Sequence, residues 1–366
     1  MGRISTFGQH LYEGRVSLDF VGRRKIFYAI SAVIVVVAAL AFVVRGFNYG
    51  VEFKGGVEFT ANVKVANSST SDDLVRAIED AGVPDAGDPT IQSSGSDAFR
   101  IQTRALSQDE ATKVSTALTD AGATEVSQNL IGPTYGKQVA TKALTGLIVF
   151  LFIVVIFIWV YFREWRMSVG GIVALAHDLV ITAGVYALSG FEVTPATVTG
   201  LLTILGYSLY DTVVVFDKVR ENTRGILTST SKTYSEQANL ALNQTLVRSI
   251  NTSITALLPV AALLFAGAAI LGTGPLKDLA LALFVGMLAG TYSSIFIATP
   301  LVSQLKEREP AIKAQAARVL ARRAKEAESP VAASAQAPAR PVQASGSAKR
   351  AQPSRKPRSQ RGKGGS

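Results

Sequence analysis

The chain of 366 residues contains no cysteine and only two histidines, His10 and His177. Without cysteine it cannot form disulfides, thiolate metal sites or a thiol nucleophile. Two histidines without cysteine do not make up the ligand cluster of a zinc site, so we expect His177 to be a packed, hydrogen-bonded residue. The sequence also lacks a Gly-rich loop ending in Gly-Lys-Ser/Thr, the usual sign of a nucleotide site. We therefore predict no metal site and no cofactor.

The body of the chain has almost no net charge. The whole sequence has a formal charge of +10, but residues 306–366 contain 15 Lys/Arg and four Asp/Glu, which leaves −1 for residues 1–305. A near-neutral body does not favour specific nucleic-acid binding. The basic tail has too little apolar surface beyond Ser329 to fold, so we predict that it is disordered. We expect it to touch anionic lipid headgroups or ribosomal RNA without specificity.

Long apolar runs are what the sequence has in abundance. They predict six transmembrane helices, because each is long enough for a hydrocarbon layer about 30 Å thick. The first covers 26–45, and the other five form a bundle over 139–305, at about 143–162, 169–188, 198–216, 250–271 and 279–305. Lys and Arg are concentrated in residues 1–25 and in residues 306–366. They are also found in the connection between the second and third predicted spans and in the one between the fourth and fifth. The positive-inside rule then predicts a multi-pass protein of the cytoplasmic membrane with both termini in the cytoplasm.

One large polar segment, residues 46–138, separates the first two apolar runs. It carries 13 acidic and seven basic residues, which mildly favours the outer side of the membrane. Its periodicity predicts strands at Val57–Val65, Thr90–Ser93, Ala98–Thr103 and Glu125–Ile131, and helices at Ser71–Ala81 and Ser107–Ala121. Ser107 and Glu110 have the spacing of a capping box. The order βαββαβ predicts an extracytoplasmic ferredoxin-like α+β domain.

Three charged residues lie within or beside predicted spans: Asp178, Asp211 and Arg248. Asp211 lies about 9 Å inside Asp217 along a helix, where an ionised carboxylate costs about 2.5–3.5 kcal/mol by insertion scales. One interpretation is a proton relay, in which Asp211 changes charge, Arg248 tunes it and Asp178 is a further member. The other is a structural Asp–Arg pair that fixes helix register. A pairing of Asp211 with Arg248 predicts a separation of about 6 Å or a bridging water.

The stretch around Asp211 resembles the signature of the SecF family of protein-export membrane subunits, which belongs with SecD and is related to RND transporters. Three further segments share the resemblance: Gly50–Gly56, Ala174–Asp178 and Gln244–Thr252. The family's important transmembrane Asp and Arg fall on Asp211 and Arg248. The signature residues of this chain are Gly50, Gly55, Gly56, Gly206, Tyr207, Ser208, Asp211, Asp217, Arg220, Glu221 and Asn222.

The resemblance implies a non-enzymatic subunit that uses the proton-motive force to assist preprotein export, late and on the outer side of the membrane. It implies SecD as a hetero-oligomeric partner. It also implies contacts with the SecYEG channel, YidC and YajC-like subunits, the translocating preprotein and membrane lipids.

Two residues depart from the family pattern. Glu52 stands where the family usually has Asp, and Tyr210 stands where Asn is common before the key Asp.

Three other functions compete with proton-driven export. Asp178 and Asp211 lie on adjacent predicted spans, as the two acids of an intramembrane aspartyl protease would, although a Gly-x-Gly-Asp segment is missing. A scaffold with purely structural charges is the second alternative. The third is a subunit of a small-molecule RND-type exporter. Such exporters usually have twelve spans and two large outer loops, whereas this sequence predicts six and one.

Overall fold

The first apolar run forms helix α1 (Arg24–Arg45), which ends at Gly46 in the left-handed region of backbone space. The computed structural model describes residues 10, 13, 16–270 and 274–328. The predicted disordered tail beyond Ser329 lies outside the described residues. So do most of residues 1–15, and residues 271–273 at the end of the fifth predicted span and the start of its loop.

A small α/β domain follows α1 and has the predicted βαββαβ order. Two short elements lead into it, β1 (Asn48–Tyr49) and α2 (Val51–Lys54). Its elements are β2 (Gly56–Asn62), α3 (Ser68–Asp80), β3 (Thr90–Ser94), β4 (Ala98–Thr103), α4 (Gln108–Asp120) and β5 (Glu125–Ile131). The strands pair antiparallel in the order β3-β4-β2-β5, which is the ferredoxin-like arrangement.

Alternation along the strands gives the sheet one apolar and one polar face. Val57, Phe59 and Ala61 of β2 are buried in a core with residues of α3 and α4, whereas Glu58 between them points to the opposite face. The predicted capping box is confirmed, because the Ser107 hydroxyl and the Glu110 carboxylate each accept from the other residue's backbone N–H. Strand β2 ends at Asn62, short of the predicted Val65, since its partner β4 begins opposite it at Ala98.

The helix bundle contains the other five apolar runs. Its helices are α5 (Pro133–Phe162), α6 (Trp165–Ser189), α7 (Pro195–Asn222), α8 (Tyr234–Ile270), α9 (Pro275–Ser293), α10 (Thr299–Glu307) and α11 (Pro310–Glu328). Strand β6 (Glu192–Val193) lies between α6 and α7 and pairs with β1. Counting α9 and α10 as one span, six helices in the described ranges are long and apolar enough to cross a membrane. The chain is thus a polytopic helical membrane protein.

The sixth span occupies the centre of the bundle. It runs through α9, a π-helical segment at Ser294–Ala298, and α10, and α9 packs against α6, α7 and α8. Pro300 has no N–H to donate to the carbonyl of Phe296 four residues earlier, so the α-helical pattern is interrupted at this point. Segments of π-helix occur frequently at functional sites. Here the segment contacts α1, α6 and α7.

The segment that precedes α1 is held against α8 by two asparagines one turn apart. Asn239 Oδ1 accepts the backbone N–H of Phe20 at 2.8 Å, and Asn243 Oδ1 accepts that of Leu18 at 2.8 Å. The Phe20 ring packs against Phe296 of the π-helical segment, with centroids 5.5 Å apart. The segment before α1 therefore contacts both α8 and the π-helical segment.

Contacts divide the chain into a unit that ends at Val319 and a second that begins at Leu320. In the second unit, the described residues are the last turns of α11. Arg322 and Glu326 form an ion pair of 2.7 Å at i,i+4 spacing there. Such an exposed pair contributes only about 0.3–0.5 kcal/mol.

Candidate functional site

Asp211 lies near the middle of α7 and is 8% exposed. Its Oδ1 accepts a hydrogen bond of 2.6 Å from the Ser249 hydroxyl of α8. Its Oδ2 accepts one from the Ser294 hydroxyl, the first residue of the π-helical segment. Both donors are neutral, so the site can stabilise either charge state of the carboxyl group by turning a hydroxyl.

Asp178 lies on α6 and is 1% exposed. Its Oδ2 accepts hydrogen bonds from the Ser208 hydroxyl of α7 at 2.6 Å and from the Ser293 hydroxyl of α9 at 3.0 Å. Its Oδ1 lies 3.3 Å from Nδ1 of His177. Asp178 therefore resembles Asp211 in being held by serines from neighbouring helices.

Two consecutive serines connect these carboxyl groups. Successive residues of a helix point about 100° apart, so Ser293 can reach Asp178 on α6 while Ser294 reaches Asp211 on α7. Ser208 adds a second link, because it lies three residues before Asp211 and contacts Asp178. No hydrogen bond joins the two carboxyl groups directly among the contacts of the described residues, so they form one network without forming a dyad.

The polar network extends one turn further toward the N-terminal end of α7. The Tyr207 hydroxyl donates to Ser253 of α8 at 3.4 Å, and Ser253 lies 2.7 Å from the hydroxyl of Thr291 on α9. Hydroxyl groups from α7, α8 and α9 therefore form a line through otherwise apolar helices. Buried hydroxyls in this position are costly unless they are hydrogen-bonded, and these are.

Arg248 is not paired with Asp211. Its Nη2 donates to the Tyr210 hydroxyl at 3.3 Å, and no ion pair joins Arg248 and Asp211 in the part of the chain that the structure describes. The physical reason is the rotation of α8. Ser249 faces Asp211, so Arg248, one residue earlier, points about 100° away into a groove of about 810 Å³ between α7, α8 and Tyr161. Among the described residues, the side-chain partners of Asp211 are the two serine hydroxyls.

The remaining signature residues lie outside the carboxylate network. At the C-terminal end of α7, Lys218 lies 3.0 Å from Glu221, Arg220 donates to the carbonyl of Tyr161, and Asn222 donates to Gln244 of α8 at 2.9 Å. Asp217 is exposed beside the same groove. The contacts of Lys218, Glu221 and Asn222 thus lie where α7 leads into its connection with α8. Gly206 has no atom within 4 Å of where a Cβ would lie, so packing does not explain it.

The glycines after α1 serve the α/β domain. Gly55 and Gly56 have φ values of 77° and 150°, which L-residues with side chains rarely adopt. A Cβ on Gly56 would lie 2.4 Å from the carbonyl oxygen of Thr103, so this position also needs the close approach. A Cβ on Gly50 would lie 2.4 Å from Glu52 Oε2 and 3.6 Å from Glu192 Oε2. Gly50 therefore leaves room for two carboxylates.

These carboxylates belong to a buried cluster that joins the domain to the bundle. Arg100 of β4 is 5% exposed and contacts Glu58 of β2 at 2.6 Å and Glu192 of β6 at 3.1 Å. Gln92 and Gln102 each donate to Glu192, at 3.0 and 2.9 Å. The polar face of the sheet is thus turned toward the loop between α6 and α7.

Glu52 is the least satisfied carboxyl group of the cluster. It lies 4.0 Å from Arg100, and its buried Oε2 has no partner among the described residues. Burial raises the pKa of Glu52 above its ordinary value, and the charges of Glu58 and Glu192 add to that effect, whereas Arg100 opposes it. Arg100 therefore forms close ion pairs with Glu58 and Glu192. Glu52 lies farther from it and has a raised pKa.

Comparison with known proteins identifies the family. The family model "Protein export membrane protein SecD/SecF, C-terminal" matches residues 111–308, and the "SecD/SecF GG Motif" matches residues 40–66. The protein translocase subunit SecF of Streptomyces coelicolor is 50% identical over 88% of this chain and 86% of its own length. The chain belongs to the SecD/SecF family. The first match contains Asp178, Asp211 and Arg248, and the second contains Gly50, Gly55 and Gly56.

Other relatives agree with this membership. The SecF subunit of Mycobacterium tuberculosis is 44% identical over 87% of this chain and 74% of its own length. The crystal structure of SecDF from Thermus thermophilus, described as a translocon-associated membrane protein, matches with a TM-score of 0.70 and 34% identity. It covers 80% of this chain, which spans 39% of that longer one. This SecD/SecF chain thus matches about two fifths of that SecDF chain.

The sequence interpretation missed the serines that bind the carboxyl groups. Ser249, Ser293 and Ser294 contact Asp178 or Asp211, and Ser253 and Thr291 extend the network. One signal was available, because Thr291-Tyr-Ser-Ser294 is a polar run inside an apolar block. Small hydroxyl residues are common in membrane helices for packing alone, so that run did not by itself indicate a carboxylate site.

Proposed function

We propose that the chain acts as a SecF-type subunit that, with a SecD-type partner, uses the proton-motive force to assist preprotein export through the SecYEG channel. The observation that carries this proposal is the pair of buried carboxyl groups, Asp178 and Asp211, which are bound by the consecutive residues Ser293 and Ser294. In the proposal Asp211 takes up and releases a proton, with Asp178 as a second carrier. Arg248, which contacts Tyr210 next to Asp211 in the sequence, is proposed to tune Asp211.

The lack of an ion pair at Asp211 among the described residues favours a relay over a scaffold. An ionised carboxylate at membrane depth costs about 2.5–3.5 kcal/mol unless it is compensated. A structural charge would be compensated by a fixed ion pair, but within the described ranges Asp211 is bound only by serine hydroxyls. Hydroxyl groups can bond to either form of the carboxyl group, which is what proton transfer requires.

The geometry disfavours the protease alternative. An aspartyl dyad needs two carboxyl groups that share a proton, whereas Asp178 and Asp211 are bound to different serines. The exporter alternative is disfavoured by the number of spans that the described helices provide, which is six. The charge pattern supports an orientation with Arg23–Lys25 and the α7–α8 connection in the cytoplasm and the α/β domain outside.

The proposal is tested by reconstituting export into vesicles with the channel, the ATP-driven motor and the SecD-type partner, with and without this chain. We expect a proton gradient to stimulate export only when the chain is present, and an uncoupler to remove the stimulation. Equal stimulation in vesicles that lack the chain would contradict the proposal.

A strip of exposed polar residues on the bundle supports the proposal of a SecD-type partner. Tyr210, Arg248, Asn251 and Thr255 are exposed on α7 and α8, and the last three share one face of α8 at spacings of three and four residues. Polar groups in membrane helices usually face protein. Relatives named SecDF carry more than twice the length that this chain spans. We therefore infer that this strip, Tyr210-Arg248-Asn251-Thr255, contacts the SecD-type partner.

Replacement of Asn251 by tryptophan should weaken the contact with the partner. A bulky ring in a packed helix interface keeps the helices apart, and we expect recovery of the SecD-type subunit by affinity purification to fall about tenfold, equivalent to about 1.4 kcal/mol. Val149→Trp, at an exposed apolar position of α5, is the matched control and should leave recovery unchanged. Equal recovery with both variants, or equal loss, would contradict the assignment of the strip.

A further inference from the structure

His177 is a buried imidazole whose contacts differ at its two nitrogens. It is 7% exposed on α6, next to Asp178. Its Nδ1 lies 3.3 Å from Asp178 Oδ1, whereas its buried Nε2 has no hydrogen-bond partner among the residues that the structure describes. A buried polar atom that is left unpaired destabilises the folded state. Its neighbours in the network are bonded, so this atom needs an explanation.

The contacts of Asp178 determine which nitrogen carries the hydrogen. Asp178 Oδ2 is occupied by the hydroxyls of Ser208 and Ser293, so Oδ1 is the oxygen that faces the ring. When Asp178 is ionised, Nδ1 must be the donor. A neutral imidazole has one N–H and one lone pair, so Nε2 then presents a bare lone pair.

The other neighbours of the ring are neutral. Tyr292 of α9 stacks on it with centroids 6.0 Å apart, and the Tyr292 hydroxyl is engaged with the carbonyl of Phe27 and the hydroxyl of Ser31 on α1. From α7, the neighbouring group is the Ser208 hydroxyl, which contacts Asp178. Among the contacts of the described residues, the titratable groups against the imidazole are thus Asp178 and Tyr292.

The geometry points to His177 as a proton carrier of the relay, a role that rests on the proposed function of the network. A proton that binds at Nε2 converts the ring to imidazolium. The Nδ1 hydrogen then passes to Asp178 Oδ1, which leaves a neutral acid and a neutral ring with its hydrogen on Nε2. One proton enters and one is handed on, so charge balances. Imidazole suits this step because it can hold a proton on either ring nitrogen.

The composition of the chain makes the protonation state of this residue measurable. His10 and His177 are its two histidines, so His10→Gln leaves a single imidazole. With ¹⁵N-histidine in this full-length variant in lipid bilayers, solid-state NMR reads both nitrogens. We expect a neutral ring with hydrogen on Nδ1 at pH 9, and either imidazolium or a neutral ring with hydrogen on Nε2 as the pH is lowered to 5. A ring that stays neutral in one tautomer across this range would overturn the proposal.

A second measurement separates a proton carrier from a packed residue. His177→Asn keeps an N–H near the position of Nδ1, and so keeps the bond to Asp178, but it has no acceptor at Nε2. We expect normal abundance and partner recovery, with export reduced to the level seen after the gradient is collapsed. Thr182→Val is the control, since Thr182 is buried one turn away and bonds to a carbonyl of its own helix.

The two proposals fail in different ways. If the parent chain shows no gradient-stimulated export, the proposed function fails, and the NMR titration still decides whether His177 binds a proton. If the parent is stimulated and His177→Asn is stimulated equally, the proposed function stands and the role of His177 is overturned. If His177→Asn and Thr182→Val lose export together, His177 acts through packing, and the proposal is overturned as well.

Discussion

Replacement of Asp211 by asparagine should abolish gradient-dependent export and leave the chain folded. Asparagine has the shape of aspartate but no proton to transfer. Its oxygen can accept from Ser249, and its N–H₂ can donate to Ser294 once that hydroxyl turns. The altered hydrogen bonds are worth about 1 kcal/mol each. We therefore expect normal abundance, normal recovery of the partner, and export equal to that measured with an uncoupler.

Related variants sharpen this test. Asp211→Glu keeps the proton but moves it by about one methylene, so partial activity is expected. Ser249→Ala keeps the proton and removes one donor, and should reduce the gradient-dependent part without abolishing it. A scaffold role needs only the shape and hydrogen bonds of residue 211, so it predicts that Asp211→Asn keeps its gradient-stimulated export. Gradient-stimulated export in Asp211→Asn would end the relay interpretation.

The serine network shows where sequence interpretation reaches its limit. Apolar length and charge placement identified the six helices, and depth alone drew attention to Asp178 and Asp211. Hydropathy carries no information on how far each helix is rotated about its axis. Rotation decides that Ser249 faces Asp211 while Arg248 faces the groove. The π-helical segment adds to this, because it shifts the register of Ser294 relative to a regular helix.

The α/β domain shows the same division between local and distant information. Period-two alternation and the Ser107 capping box predicted its strands and helices, because both signals lie within a few residues. Glu192 has no distinguishing local sequence signal, yet it is 3% exposed and bound by Arg100, 92 residues earlier in the sequence. A contact over that separation depends on how the domain docks, so no local pattern reveals it.

Loss of Arg100 should open the α/β domain. Arg100→Gln leaves Glu58 and Glu192 in a buried place without their cation, and breaking such a pair costs about 3–5 kcal/mol. The cysteine-free chain allows a direct measurement, because Ala111→Cys places one thiol in the domain core. We expect the labelling rate of that thiol to rise roughly 10²–10⁴-fold, since each 1.4 kcal/mol is a factor of ten. Arg76→Gln, which removes an exposed pair with Asp73, is the control and should change the rate little.

The effect of Arg100→Gln should shrink in acid. Without the guanidinium, the buried carboxyl groups hold protons more tightly when folded than when unfolded. An acid whose folded pKa is raised loses folded-state stability as the pH rises from its ordinary value, 4.5, through the folded value. The parent already has this behaviour at Glu52. The labelling rates of variant and parent should therefore differ most near pH 8 and converge near pH 5. A difference that does not depend on pH would mean that Arg100 stabilises the domain by packing, and not by holding three carboxylates together.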